Sequence, residues 1–301
     1  MSSERKANLF VVGAMRSGTT SFSEVLSKHP QIYFSPIKEP NYFVDSLPKA
    51  LYEPSRFFDL ETYFDKKFPS PKHIAHIENP IHYQTLFSQA AEQHIYVAEA
   101  STAYLHAPDT ARRIYEYNPN ATIVIILRDP LERAYSHYRM DLGLGREKQS
   151  FEHCMTTQLK LQRSGDLPWY TYLNMSFYDS VIEKYSALFK TVICVRFEDM
   201  IDNTDSFLAN LSAELKISPF GYYLFDKNNA AQTPRFKSMW YWGRRLGLKA
   251  PFSYLFPSKL KQGIFQKLSR TDRSHLEISN PLFEELNEVF KKQSLNYYKS
   301  V

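Results

Sequence analysis

Cysteine is nearly missing: Cys154 and Cys194 are the two in 301 residues, outside any Cys-x-x-Cys or Cys/His spacing. That scarcity argues against a disulfide framework or a structural zinc site, and each thiol is expected to pack as a small core residue. Long apolar runs are missing as well. Nothing approaches the roughly 18 residues of a membrane span. The apolar stretch after Met1–Lys6 is too short for a signal peptide. These absences point to a reducing, cytoplasmic setting. Internal repeats and low-complexity tracts are also lacking. What is present is ordinary for a folded chain, with 43 % hydrophobic and 23 % charged residues. That composition excludes disorder as the main state, and the length suffices for a core that removes roughly 75 % of the unfolded surface from water.

One absence is local. From Lys227 to Thr271 there is no Asp or Glu, whereas ten Lys and Arg occur there; the formal charge of +5 therefore leaves the rest of the chain at −5. Eight aromatics interleave with those cations, among them Trp240, Tyr241 and Trp242. Such a segment suits a packed helical layer with solvated cations, a lid or binding surface for a partner molecule, or peripheral contact with a membrane surface. Nucleic acid uses the same residue types, but nothing else here resembles a nucleic-acid module, and none is expected as a partner.

Strands are predicted at 9–12, 32–34, 95–98, 121–127 and 191–195. Helices are predicted at 19–28, 55–68, 81–94, 108–117, 130–142, 151–163, 176–189, 204–215 and 281–293. The run Ala121–Leu127 is continuously apolar, which suits a central parallel strand covered on both faces. The alternation predicts an α/β fold, a three-layer sandwich around a central parallel sheet, as one domain over 1–301 that includes the basic segment 227–271.

The first strand runs into Gly13-Ala-Met-Arg-Ser-Gly18-Thr19-Thr20. Two glycines with four residues between them begin a P-loop, whose amides and following helix N-terminus attract an anion. The Lys expected after the second glycine is missing. Thr19 stands there, and the loop's cation is Arg16. A nucleoside triphosphate site needs that Lys on the β- and γ-phosphates. An ATP- and Mg²⁺-dependent kinase therefore remains only an alternative, as does a non-catalytic module for anionic polysaccharide. A second anchor, Leu127-Arg128-Asp129-Pro130, follows the central strand. Asp129 is suited to cap the next helix and Pro130 to occupy its first position. Arg128 then stands at the carboxyl end of a parallel strand, where α/β folds bind ligands. Ser136 lies two helical turns further on. No Ser/His/Asp arrangement is visible, and no metal site is expected.

Together with His29-Pro30, Lys38-Glu39-Pro40-Asn41-Tyr42-Phe43, Ala98–Tyr104, Gly145–Phe151 and Val195-Arg-Phe-Glu-Asp199, these motifs resemble the sulfotransferases that use 3′-phosphoadenosine 5′-phosphosulfate (PAPS), in the branch that contains the heparan-sulfate enzymes and many bacterial relatives. The resemblance covers roughly 8–215. It implies a P-loop-NTPase-like sulfotransferase fold without a metal. Arg16, Ser17, Gly18, Thr19 and Thr20 would hold the 5′-phosphosulfate end, and Arg128 with Ser136 the 3′-phosphate. Glu39 would be the general base that takes a proton from an acceptor, a hydroxyl more readily than an amine, on a saccharide or glycolipid. Arg16 would stabilise departing 3′-phosphoadenosine 5′-phosphate. In one place the chain departs from the pattern: several heparan-type relatives carry Lys after the Glu equivalent to Glu99, and here it is Ala100. Glu99 and Ser101 end a strand on the ligand side, and either contact acceptor or cofactor or cap the structure.

Overall fold

The computed structural model describes residues 5–54, 58–225, 233–234, 269–270 and 278–291. Nearly all of the basic segment 227–271 therefore lies outside the described residues. Contacts divide the chain into two compact units, one of residues 1–128, 177–226 and 293–301, the other of 129–176 and 227–292.

The first unit is built on a five-stranded sheet. Its strands are β1 (Leu9–Gly13), β2 (Ile32–Phe34), β5 (Tyr96–Ala100), β6 (Thr122–Leu127) and β7 (Thr191–Arg196), in the order β2-β5-β1-β6-β7. Every pairing is parallel. β1 and β6 are central, and both are buried along their whole length, as continuous apolar strands under two covered faces must be. Leu9, Val11, Ala98, Ala100, Val124, Ile126, Ile193 and Val195 supply one face. Against it pack Phe22, Val25 and Leu26 of α1 (Thr19–Ser27), Met200 of α8 (Phe197–Asp202), and Phe207, Leu208, Leu211 and Leu215 of α9 (Thr204–Leu215). On the other face Phe10 meets the rings of Phe43 and Tyr117 edge-on, at 5.8 and 6.3 Å. Tyr117 closes α4 (Thr110–Tyr117), and α7 (Asp179–Leu188) packs beside that helix.

A two-stranded parallel sheet, β3 (Ile37–Glu39) with β4 (Lys72–Ile74), pairs Glu39 with Ile74. These strands are absent from the sequence reading, because three residues such as Ile-Lys-Glu carry no period. Two predicted helices are shorter than expected. α2 is Leu60–Lys66, started by the Asp59 carboxylate, which accepts the Thr62 amide at 2.7 Å. α3 is Pro80–Thr85, capped by Asn79, and the predicted remainder to 94 is a chain of turns. The Arg5 guanidinium donates to the carbonyls of Ala91 and His94 there, a tertiary contact that overrides helix propensity. Both thiols are buried, as expected from their scarcity, and burial pushes that of Cys194 up to about 11.

The second unit contains α5 (Pro130–Leu144), α6 (Phe151–Ser164), the 3₁₀ turn Asn174–Ser176, an antiparallel pair β8 (Thr233–Pro234) and β9 (Ser269–Arg270), and α10 (Asn280–Lys291). Asp129 caps α5 by accepting the Glu132 amide at 2.9 Å, with Pro130 at the first position, as the sequence predicts. Arg133 is wholly buried in this unit and satisfied there: Nε donates to Ser176 Oγ at 2.7 Å and Nη2 to the Tyr172 carbonyl at 2.5 Å.

Candidate active site

The loop between β1 and α1 is shaped by two left-handed residues, Arg16 with φ 70° and Gly18 with φ 81°. At Gly18 glycine is required twice over. Its conformation costs an L-residue about 1–2 kcal/mol. A Cβ there would also sit 2.7 Å from Met200 Cε and 2.8 Å from the Phe197 ring. Gly18 starts α1 with no side chain capping the first turn, and this leaves the helix end suited to an anion. Ser17 is fully buried, and its hydroxyl has no hydrogen-bond partner. A buried hydroxyl in that state costs about 1–3 kcal/mol, and a ligand oxygen at the loop would remove the cost. Thr19 is buried and Thr20 exposed on the first turn of α1.

Arg128 leaves the end of β6 and reaches this loop: its guanidinium donates to the Arg16 carbonyl at 3.4 Å and lies over the Phe197 ring, 5.0 Å from the centroid. The two anchors are thus brought together, although 112 residues separate them. Ser136 is half-buried on α5 in the second unit.

Glu39 ends β3 and is buried. Its Oε1 accepts from Lys38 Nζ at 2.6 Å and its Oε2 from Thr102 Oγ1 at 3.0 Å. Burial pushes the carboxyl up. The Lys38 ammonium, His73 and the Thr102 hydroxyl outweigh that, so it lies below the usual carboxylate range and is ionised at neutral pH. Thr102 is the link that the sequence reading missed. Its side chain holds Glu39, while its carbonyl oxygen lies 3.4 Å from where a Cβ on Gly13 would be. The Ser101 amide donates to Val11 O at 3.1 Å and the Leu105 amide to Val12 O at 2.9 Å, tying this segment to β1 beside the phosphate loop. The signal was the pair of hydroxyl residues closing Glu99-Ala-Ser-Thr102 at a strand end.

Asn41 holds the turn after Glu39. It takes a left-handed φ of 52°, tolerable for Asn, and its Nδ2 donates to Glu39 O at 3.0 Å and to Ala75 O at 2.9 Å. Tyr42 stacks flat on Tyr83, with centroids 4.0 Å apart. Glu99 is completely buried, and both of its carboxylate oxygens accept from protein hydroxyls. Among the described residues no group of three or more His, Cys, Asp or Glu is placed to hold a metal ion, and no helix is long and apolar enough to cross a membrane.

The profile of the Sulfotransferase family matches residues 8–220. The membrane-associated sulfotransferase kil1 of Dictyostelium discoideum is 30 % identical over 152 residues, 48 % of this chain and 26 % of that protein. Human carbohydrate sulfotransferase 15 is 28 % identical over 181 residues, 51 % of this chain and 30 % of that protein. The chain thus spans less than a third of the length of each of these two relatives. A crystal structure of a sulfotransferase from Alicyclobacillus acidocaldarius superposes with a TM-score of 0.61 at 24 % identity, covering 96 % of this chain and 93 % of that one, and shares the fold.

Proposed function

The chain belongs to the sulfotransferase family, and from that premise we propose that it moves a sulfonyl group from PAPS to a hydroxyl of a saccharide or glycolipid, with Glu39 as general base. The observation that carries this reading is the buried, unpartnered Ser17 hydroxyl at an uncapped helix start, with Arg128 drawn against the same loop. These groups fit the phosphate oxygens of a 3′,5′-substituted nucleotide and need no triphosphate-binding Lys. Arg16, Ser17, Gly18, Thr19 and Thr20 hold the 5′ end. Arg128 holds the 3′-phosphate, and the resemblance adds Ser136. The printed names of the carbohydrate and heparan-sulfate relatives favour a saccharide acceptor.

When bound, PAPS supplies an activated sulfonyl group and a phosphate leaving group. The chain's part is positioning and charge. Glu39 is ionised and one hydrogen-bonded segment away from the loop, so it is in the right form to take the acceptor's proton as the acceptor oxygen bonds to sulfur. The S–O bond to the phosphate breaks, and Arg16 with the loop amides stabilises the charge that collects on the departing oxygen.

Substituting Glu39→Gln is expected to lower turnover by about 10²–10⁴-fold while 3′-phosphoadenosine 5′-phosphate still raises the melting temperature. In the wild type that nucleotide should stabilise more than AMP or ATP with Mg²⁺, and Arg128→Ala should erase its advantage over AMP. Greater stabilisation by ATP with Mg²⁺, or full turnover in Glu39→Gln, overturns the reading.

A further inference from the structure

Glu99 is the penultimate residue of β5, and three hydroxyls converge on its carboxylate. Tyr83 Oη and Tyr104 Oη donate to Oε1 at 2.7 and 3.0 Å, and Ser101 Oγ donates to Oε2 at 2.9 Å. Two of these hydroxyls have a second bond. Ser101 Oγ accepts the Asn41 amide at 3.1 Å, and Tyr104 Oη accepts the Phe43 amide at 3.4 Å. A hydroxyl has one proton to give. Because Glu99 takes both protons, the oxygens of Ser101 and Tyr104 are turned to receive the two backbone amides of the Glu39–Phe43 turn. We infer that Glu99 is a positioning residue for Glu39, holding the 39–43 turn through the Ser101 and Tyr104 hydroxyls. This deepens the proposed reaction and rests on the role of Glu39 in it.

The arrangement is sensitive to one proton. Ionised, Glu99 only accepts, and all three hydroxyls point at it. Protonated, it must donate to one of them, so at least one of the three bonds reverses. Burial pushes this carboxyl up to about 7, with the charge of Glu39 adding to the rise and the three hydroxyls opposing it. The titratable groups that face it are Tyr83 of α3, Tyr104, Tyr185 of α7 and Glu39 of β3; Glu39 is faced in turn by Lys38 and His73. Above neutral pH the ionised carboxylate holds the turn, and below it the turn loosens.

The test follows the amide resonances of Asn41 and Phe43 in the full-length protein between pH 5.5 and 8.5 (about 1.5 pH units either side of the Glu99 transition). In the wild type both shift with a midpoint near the Glu99 transition at about 7, and in Glu99→Gln both become flat. In Ser101→Ala only the Asn41 response disappears, and in Tyr104→Phe only that of Phe43. This readout needs no donor or acceptor, so it stands even if the chain transfers nothing from PAPS. Where turnover is measurable, Glu99→Gln lowers kcat by up to about 10²-fold, the effect of a base displaced by roughly 1 Å. The nucleotide affinity stays within about 2-fold, as expected when only the base and not the phosphate loop is displaced. The neutral limb of the kcat–pH profile disappears in the same variant. Amides indifferent to pH across this window, or a Glu99→Gln enzyme that melts earlier but keeps its kcat and its pH profile, overturns the inference.

Discussion

Ser17 and Glu39 show how differently two buried polar residues are treated. Glu39 has a donor on each carboxylate oxygen, so it is held in one place in its charged form. The Ser17 hydroxyl has none, and a folded protein rarely leaves such a group unmatched without a use for it. On the proposed reading its partner is a phosphate oxygen. Ser17→Ala is therefore expected to leave the melting temperature of the free protein unchanged or slightly higher, since no bond is lost. The same change should weaken 3′-phosphoadenosine 5′-phosphate by about 10- to 100-fold, the value of a hydrogen bond to a charged group. Calorimetric titration beside a melting curve separates the two effects. A variant that melts earlier yet binds as tightly would show the hydroxyl to be structural. The pH dependence of Glu39 has a definite sign too. Its carboxyl is held below the usual range, so its basic form persists down to pH values under its ordinary 4.5 and is lost only below them. An activity limb near neutral pH therefore belongs to another group.

Elements set the loop through contacts that are distant in sequence. Gly18 abuts α8, whose Phe197 and Met200 close over it, and Phe197 also lies under the Arg128 guanidinium. Gly18→Ala is expected to destabilise the protein by about 2–4 kcal/mol, combining a left-handed conformation with a clash in a packed site. Reduced nucleotide binding should accompany this, as Phe197 is pushed toward Arg128; urea unfolding and thermal shift check the two parts. The strand–loop–helix at Leu9–Ser27 and the anchor at Leu127–Pro130 were legible because they are local: an apolar run, two glycines at fixed spacing, an Asp-Pro helix start. The α8 helix and the β3–β4 sheet were not. Each is six residues or fewer, and each exists because of what lies across from it rather than because of its own pattern. The motif reading therefore reaches Glu39 by resemblance alone; Glu99 and Ser101 are visible as a strand end, but their hydrogen bonds, and that of Thr102 to Glu39, follow from tertiary packing. The predicted helix at 81–94 stops at Thr85 for the same reason in reverse, since a guanidinium from the N-terminal segment binds the carbonyls of its second half.

For the whole molecule, charge is held locally rather than as a field. Outside 227–271 the chain carries −5, so an anionic nucleotide on the proposed reading is attracted by Arg16, Arg128 and a helix start, not by the average surface. The same economy of buried charge governs stability against pH. Burial raises Glu99 to about 7 in the first unit; in the second it raises Asp141 to about 6, against the opposing pull of Arg146 and the Tyr172 hydroxyl. Both groups hold protons in the folded protein that the unfolded chain has already released. Their contribution to the unfolding free energy falls as pH rises through the interval between each group's unfolded and folded values, roughly 4 to 7, and levels off above it. Glu39 acts with the opposite sign below its ordinary 4.5, and His73 and His94, held by burial below their ordinary 6.5, oppose the carboxyls within the interval, so the carboxyl contribution is read by comparing variants with the wild type. The Glu99 contribution is on the order of 3 kcal/mol between pH 5 and 8, by the free-energy equivalent of its displacement. Glu99→Gln and Asp141→Asn should each reduce the difference between urea midpoints measured at those two pH values, whatever each does to the midpoint itself. Glutamine cannot titrate, so a pH difference left intact by Glu99→Gln would mean that Glu99 is ionised throughout and that its three hydroxyl donors outweigh its burial.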